Sequence, residues 1–142
     1  MNIPVMLSIT GRQSYMEQEP ETIELVTEGI LSCRDGGWEI RYEESALTGL
    51  EGVTTTFCIN KDGIVLNRTG KLRSQMVFRE GVRHDSLYQM EFGALMVSVC
   101  AERIWAQISA EGGVVDLIYS IQVEQEAAGQ IDYHLEITPI KQ

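Results

Sequence analysis

Residues 115–123 read Val-Asp-Leu-Ile-Tyr-Ser-Ile-Gln-Val, and this stretch decides the fold class. All of its odd-numbered positions are apolar or aromatic, and three of its four even-numbered positions are polar. A period of two is typical of a β-strand with one face in the core, because successive side chains of a strand point to opposite faces. The stretch therefore predicts a strand of an antiparallel sheet that has one face toward water.

The segments on either side of this stretch extend the same interpretation. Residues 133–138 alternate strictly between apolar and polar side chains, which predicts a second strand. Residues 94–101 form a nearly continuous apolar run, which fits a buried strand or a buried helix. Val97, Val99 and Gly93 favour the strand, and no helix caps flank the run.

Toward the N-terminus, strand signals recur at short intervals and are separated by glycine-containing turns. Residues 5–10 and 38–42 both alternate, and Asp35-Gly36-Gly37 supplies a tight hairpin turn before the second of these runs. Short connections imply antiparallel neighbours. The whole chain, residues 1–142, therefore predicts a single all-β domain. We expect an antiparallel up-and-down β-barrel of about eight to ten strands, with a two-sheet sandwich as the alternative.

Composition and charge restrict the class of partner. The chain has 142 residues, of which 44% are hydrophobic, so it can build one well-packed core. Its formal net charge of −10 repels phosphate, so neither nucleic acid nor an anionic membrane is an expected partner.

The same sequence features predict a cytoplasmic location. Residues 1–12 lack the basic start and apolar run of a secretory signal, and no stretch approaches the ~20 apolar residues of a membrane helix. Cys33, Cys58 and Cys100 are odd in number and far apart, which is typical of a reducing compartment rather than of a disulfide framework.

No catalytic, cofactor-binding or metal-binding motif can be recognised. The chain has no Cys-x-x-Cys, His-Glu-x-x-His or Gly-x-Ser-x-Gly pattern and no phosphate loop. Its two histidines and its isolated cysteines do not suggest a zinc site. We therefore expect no cofactor, no metal and no catalytic residue.

Five short motifs are spread over almost the whole chain: Tyr42-Glu43-Glu44, Leu66-Asn67-Arg68-Thr69-Gly70, Glu91-Phe92-Gly93-Ala94-Leu95, Asp116-Leu117-Ile118-Tyr119 and Leu135-Glu136-Ile137. In these motifs the chain resembles the YwiB-like family of bacterial proteins. The resemblance implies a lipocalin-like (calycin) β-barrel in the bacterial cytoplasm. The function of that family is unknown, so the resemblance implies no catalytic or binding residue.

Candidate ligand-binding residues are those that place a polar or titratable group on the apolar face of a strand, because such groups are expected to point inward. Arg68 shares its face with Leu66, and Glu44 shares its face with Tyr42. The complete candidate set is Tyr42, Glu44, Arg68, His84, Tyr88 and Tyr119. Two alternatives apply to Arg68 and Glu44: they reach solvent at strand ends, or they pair with each other as a structural ion pair.

The sequence is compatible with three different functions. The first is a non-enzymatic binder whose small ligand lies in the barrel and is anionic if Arg68 faces inward, because a guanidinium pairs well with carboxylates and phosphates. The second is a protein-interaction module or homodimer that works through an apolar patch, suggested by Val26, Ile30, Val77 and Ile118. The third is an enzyme that uses Glu44 and His84 as acid and base.

Overall fold

The protein is described by a computed structural model for residues 2–14 and 19–140, with the backbone alone at positions 127 and 128. Ten β-strands account for most of this part of the chain, and consecutive strands run antiparallel wherever they pair. Their bounds are β1 Asn2–Ser14, β2 Glu21–Arg34, β3 Gly37–Glu43, β4 Val53–Asn60, β5 Gly63–Gly70, β6 Ser74–Phe78, β7 Arg83–Met90, β8 Gly93–Ser109, β9 Gly112–Val123 and β10 Glu126–Pro139. The strands predicted at 94–101 and 115–123 are both confirmed, within β8 and β9.

The strands form one sheet in the order β6-β5-β4-β3-β2-β1-β10-β9-β8-β7. Strands that follow one another in the sequence lie side by side, except that β6 and β7 stand at the two ends of this order. The ladder between β1 and β10 joins the first strand to the last. The sheet curls until β6 faces β7, where the backbones of Arg73 and Gln89 exchange two hydrogen bonds of 2.9 and 2.8 Å. The predicted up-and-down barrel is confirmed. We call the meeting line of β6 and β7 the seam.

The alternation read from the sequence places one face of each strand inside the barrel. On β1, for example, Val5, Leu7 and Ile9 are buried, whereas the residues between them are partly exposed. The middle of the barrel is packed with such side chains from most of the strands. Burial of this apolar surface is the main term that stabilises the fold. Within residues 2–14 and 19–140, no helix has the length and apolar character needed to cross a membrane.

Candidate functional site

Glu44 lies inside the barrel, immediately after β3, with only 8% of its surface exposed. Its carboxylate accepts a hydrogen bond of 2.5 Å from the hydroxyl of Thr55, which is completely buried, and one of 3.1 Å from the hydroxyl of Thr48. Thr48 is brought to Glu44 by a short 3-10 turn at Ala46–Thr48, whose first residues are capped by Ser45. The alternative in which Glu44 reaches solvent at a strand end is therefore wrong.

Two tyrosines extend this network across the barrel interior. The hydroxyls of Tyr42 and Tyr133 are hydrogen-bonded to each other, and Tyr42 is also bonded to Glu44. A carboxylate has no hydrogen to donate, so Tyr42 donates to Glu44 and accepts from Tyr133. Burial, reinforced by the charge of Glu44, raises the pKa of Tyr42 to about 12. Burial also raises the pKa of Tyr133 well above 10, so both hydroxyls keep their protons and point their dipoles toward Glu44.

Arg68 lies beside this network without forming an ion pair in it. In the strand register Arg68 stands opposite Thr55 on β4 and Ser74 on β6. Its positive charge acts against the rise in the pKa of Tyr42 and Tyr133, which places the guanidinium near both hydroxyls. None of the ion pairs among the described residues includes Arg68, and its buried Nε has no hydrogen-bond partner. The alternative of a structural ion pair with Glu44 is therefore wrong.

A cleft of about 690 Å³ opens at the seam and reaches Arg68. Ser74 on β6 and Ser86 on β7 also line the cleft, and the hydroxyl oxygen of each is buried without a hydrogen-bond partner. Ser74 is only 8% exposed. Buried polar atoms nearly always have partners, so three orphaned groups at one cleft indicate that something else hydrogen-bonds there.

The charges around the cleft favour an anion. Arg68 and Arg73 line it, and Asp85 is the only carboxylate that lines it among the described residues. Asp85 already accepts a 2.9 Å hydrogen bond from Nε of Arg83, and hydrogen bonds from Ser98 and Arg83 lower its pKa. Because Arg83 compensates the charge of Asp85, the cleft keeps a local positive charge on a protein whose net charge is −10.

The remaining candidates from the sequence occupy three different places. His84 lines the cleft, where its Nδ1 accepts a 3.3 Å hydrogen bond from the backbone N–H of Val77 across the seam. Tyr119 is buried, and its ring lies 4.7 Å from that of Phe78, centroid to centroid. Tyr88 is half-buried and lines a separate, mainly apolar pocket of about 220 Å³.

The structure thus brings some of the six candidates together and leaves others apart. Arg68 and His84 share the cleft, while Tyr42 and Glu44 form the network behind Arg68. Glu44 does not line the cleft, and no hydrogen bond joins it to His84. The geometry therefore gives no support to an acid–base pair of Glu44 and His84.

Sequence reasoning missed Ser74, Ser86, Arg73 and Tyr133. A signal for the two serines was present, since Ser74 alternates in phase with Met76 and Phe78, and Ser86 alternates in phase with His84. Serine is uncharged and common at strand edges, so the same rule that selected Arg68 passed over it. Arg73 lies outside β6, and only the contact across the seam brings it to the cleft.

The raised pKa of Tyr42 predicts a specific loss of stability in alkali. Because the folded-state value of about 12 lies above the usual 10.0, the stabilisation is complete below pH 10 and is lost as the pH rises toward 12. The free energy of unfolding should fall by about 2 kcal/mol between pH 8 and 11.5 on account of this group. The Tyr42→Phe variant has no hydroxyl at this position, so its free energy of unfolding should not show this contribution to the fall.

Urea unfolding at the two pH values measures this difference. Tyr88→Phe is the matched control, because it removes a hydroxyl outside the network. Its free energy of unfolding should fall between the two pH values by as much as that of the wild type. If Tyr42→Phe and Tyr88→Phe lose the same amount, the hydroxyl of Tyr42 is not held in the network described here.

Comparison with known proteins supports the fold and leaves the chemistry open. A family model described as "Domain of unknown function (DUF1934)" matches residues 7–137. The crystal structure of the ywiB protein from Bacillus subtilis superimposes with a TM-score of 0.89, covering 99% of this chain and 94% of that one at 18% sequence identity. At that identity the likeness shows the fold alone. No curated protein matches the sequence. Because the family model spans nearly the whole chain, this protein belongs to the YwiB-like, DUF1934 family, whose function is unknown.

Proposed function

We propose that the protein is a non-enzymatic binder of a small organic anion, which it holds in the cleft at the seam. One observation carries the proposal: the buried Nε of Arg68 and the hydroxyls of Ser74 and Ser86 all lack hydrogen-bond partners at the same cleft. Leaving a buried polar group unpaired costs about 1–3 kcal/mol, and more for a charged group. An oxyanion that accepts from all three groups would remove that cost on binding.

The chemistry of the donors defines what the cleft would recognise. A guanidinium presents its N–H groups as a planar fork that matches a carboxylate or a phosphate, and two hydroxyls add further donors. Arg73 adds positive charge at the cleft. Glu44 is engaged by Thr48, Thr55 and Tyr42, so it does not compete with the ligand for Arg68 through a direct ion pair. The proposed binder uses no metal and no cofactor.

The test uses inorganic phosphate as the probe and NMR chemical shifts of the backbone amides as the readout. We expect phosphate to shift the amides of residues 67–75 and 84–89 in the wild type, and to bind Arg68→Met at least tenfold more weakly. Arg41→Met is the matched control, since Arg41 is exposed on β3, and it should bind like the wild type.

Arg68→Met also distinguishes lost binding from lost structure. Removing a partly buried charge that has no ion-pair partner should leave the free energy of unfolding unchanged or higher. No shift at the cleft in the wild type, or equal binding by Arg68→Met, would refute the proposal. Native mass spectrometry of protein purified from its host should further show a co-purified organic anion.

A second candidate function, homodimerisation, is favoured by apolar side chains around the hairpin of β7 and β8. Phe92 is 98% exposed, and Leu87, Met90 and Leu95 are also exposed. This cluster differs from the residues that the sequence suggested, of which Val26 is exposed and Val77 is half-buried. Light scattering at high concentration tests it: a dimer that becomes monomeric in Phe92→Asp would support it, whereas a monomeric wild type would refute it.

We further propose that the protein is a bacterial, cytoplasmic member of the calycin (lipocalin-like) barrels. The three free cysteines Cys33, Cys58 and Cys100 support a reducing compartment. The up-and-down strand order supports the calycin kinship. The net charge of −10 supports excluding nucleic acid and anionic membranes as partners.

A further inference from the structure

The cleft at the seam is lined by both faces of the same two strands. Successive side chains of a strand point to opposite sides of the sheet. Yet the cleft is lined by Ser74 together with Gln75 on β6, and by Ser86 together with Leu87 on β7. Ser74 and the hydroxyl of Ser86 are buried, whereas Gln75 and Leu87 are exposed on the outer surface. The cleft therefore passes through the barrel wall.

The opening has a defined upper and lower edge. At one edge the backbones of Arg73 and Gln89 exchange hydrogen bonds, and at the other the N–H of Val77 donates to Nδ1 of His84. Between these edges no β-bridge joins β6 to β7 among the described residues. We call this opening the window.

Polar groups are ordered along the path through the window. Leu87 is 47% exposed and lines it together with the uncharged amides of Gln75 and Gln89. The buried serine hydroxyls and Nε of Arg68 lie on the inner side. The free donors thus lie inside. The outer side carries the two amides together with the exposed Arg73 and Asp85, and Asp85 is paired with Arg83.

We propose that the ligand enters through the window with its anionic end leading, rather than through an open end of the barrel. This inference rests on the proposed function. The oxyanion, a carboxylate or a phosphate, reaches Arg68, while the polar body of the ligand stays between the amides of the window and beside Arg73. The class of ligand that we propose is a short, extended organic anion that lies lengthwise between the two hydrogen-bonded edges.

The route is tested by closing the window from outside. In a background with serine at positions 33, 58 and 100, Leu87→Cys is labelled with a bulky methanethiosulfonate reagent, and phosphate binding is followed by NMR. We expect the label to weaken phosphate binding or slow its exchange at least tenfold, and reduction of the label to restore it. Val26→Cys is the matched control, since Val26 is 65% exposed on β2 and its label should have no effect.

The outcomes separate the route from the function. If labelled Leu87→Cys binds phosphate as well and as fast as the unlabelled protein, the window is not the route, and the anion-binding function stands. If the unlabelled protein binds no phosphate at the cleft, the proposed function and this inference both fail.

A second comparison tests the class of ligand. Glycerol 3-phosphate and glycerate share a short extended body and distinguish a phosphate ligand from a carboxylate ligand. We expect one of them to bind at least tenfold more tightly than tert-butyl phosphate, whose bulk lies next to the oxyanion. Equal binding of all three would show that the window does not select by shape.

Discussion

Replacing Phe78 with alanine should lower the free energy of unfolding by about 3–5 kcal/mol, the usual cost of truncating a large buried aromatic side chain. Phe78 is completely buried, and its ring contacts that of Tyr119. Phe78 belongs to β6, which borders one side of the seam, and Tyr119 belongs to β9, on the other side of the seam. Their contact therefore holds the two sides of the seam together. Loss of the ring removes this contact with Tyr119 as well as the buried apolar surface.

Denaturant unfolding of Phe78→Ala and Phe92→Ala measures the effect against a matched control. Phe92 is 98% exposed, so its replacement should change the free energy of unfolding by no more than about 0.5 kcal/mol. Similar losses in the two variants would mean that Phe78 does not occupy the core position described here.

The second large effect is expected from Glu44→Ala, which should destabilise the protein by about 3 kcal/mol. The replacement removes the acceptor of two buried donors, the hydroxyls of Thr55 and Tyr42. Each buried donor left without a partner costs about 1–3 kcal/mol. The cavity left by the side chain offers water only limited access, because Glu44 itself is 8% exposed.

The neighbouring residue provides the control for this variant. Glu43 accepts hydrogen bonds of 2.8 and 3.0 Å from the hydroxyl of Thr54, so it repeats the glutamate–threonine pair on the outer, exposed face of the same strands. In Glu43→Ala water replaces the lost acceptor, and the expected change is within about 0.5 kcal/mol. Equal effects of Glu43→Ala and Glu44→Ala, measured by denaturant unfolding, would contradict the inward placement of Glu44.

Most of the fold could be predicted from the sequence, because alternation is a local property of each strand. The run at 94–101 was the hardest segment, since periodicity alone does not separate a buried strand from a buried helix. Val97 and Val99 favoured a strand over a helix, and this prediction is confirmed because β8 includes the whole run. Antiparallel neighbours followed from short turns. The exception is β6 and β7, which are joined by a short connection and form no ladder.

The candidate site could be predicted only in part. The face of a strand on which Glu44 or Arg68 lies is a local property, so their inward direction could be inferred. The position of the seam is not local, because it depends on where a ten-stranded sheet of unequal strands fails to close. Consequently nothing in the sequence showed that Ser74 and Ser86 would face each other across a cleft.

The order of the strands also has a consequence for how the chain folds. Strands β1–β6 and strands β7–β10 each form a meander in which every strand pairs with the next one along the chain. One long ladder, from Val5 opposite Pro139 to Ser14 opposite Gln130, joins the first meander to the second, in addition to the contacts at the seam. Contacts between residues so far apart in sequence form slowly. We therefore expect the two meanders to assemble first and to dock late, with the pairing of β1 and β10 as the rate-limiting step of folding.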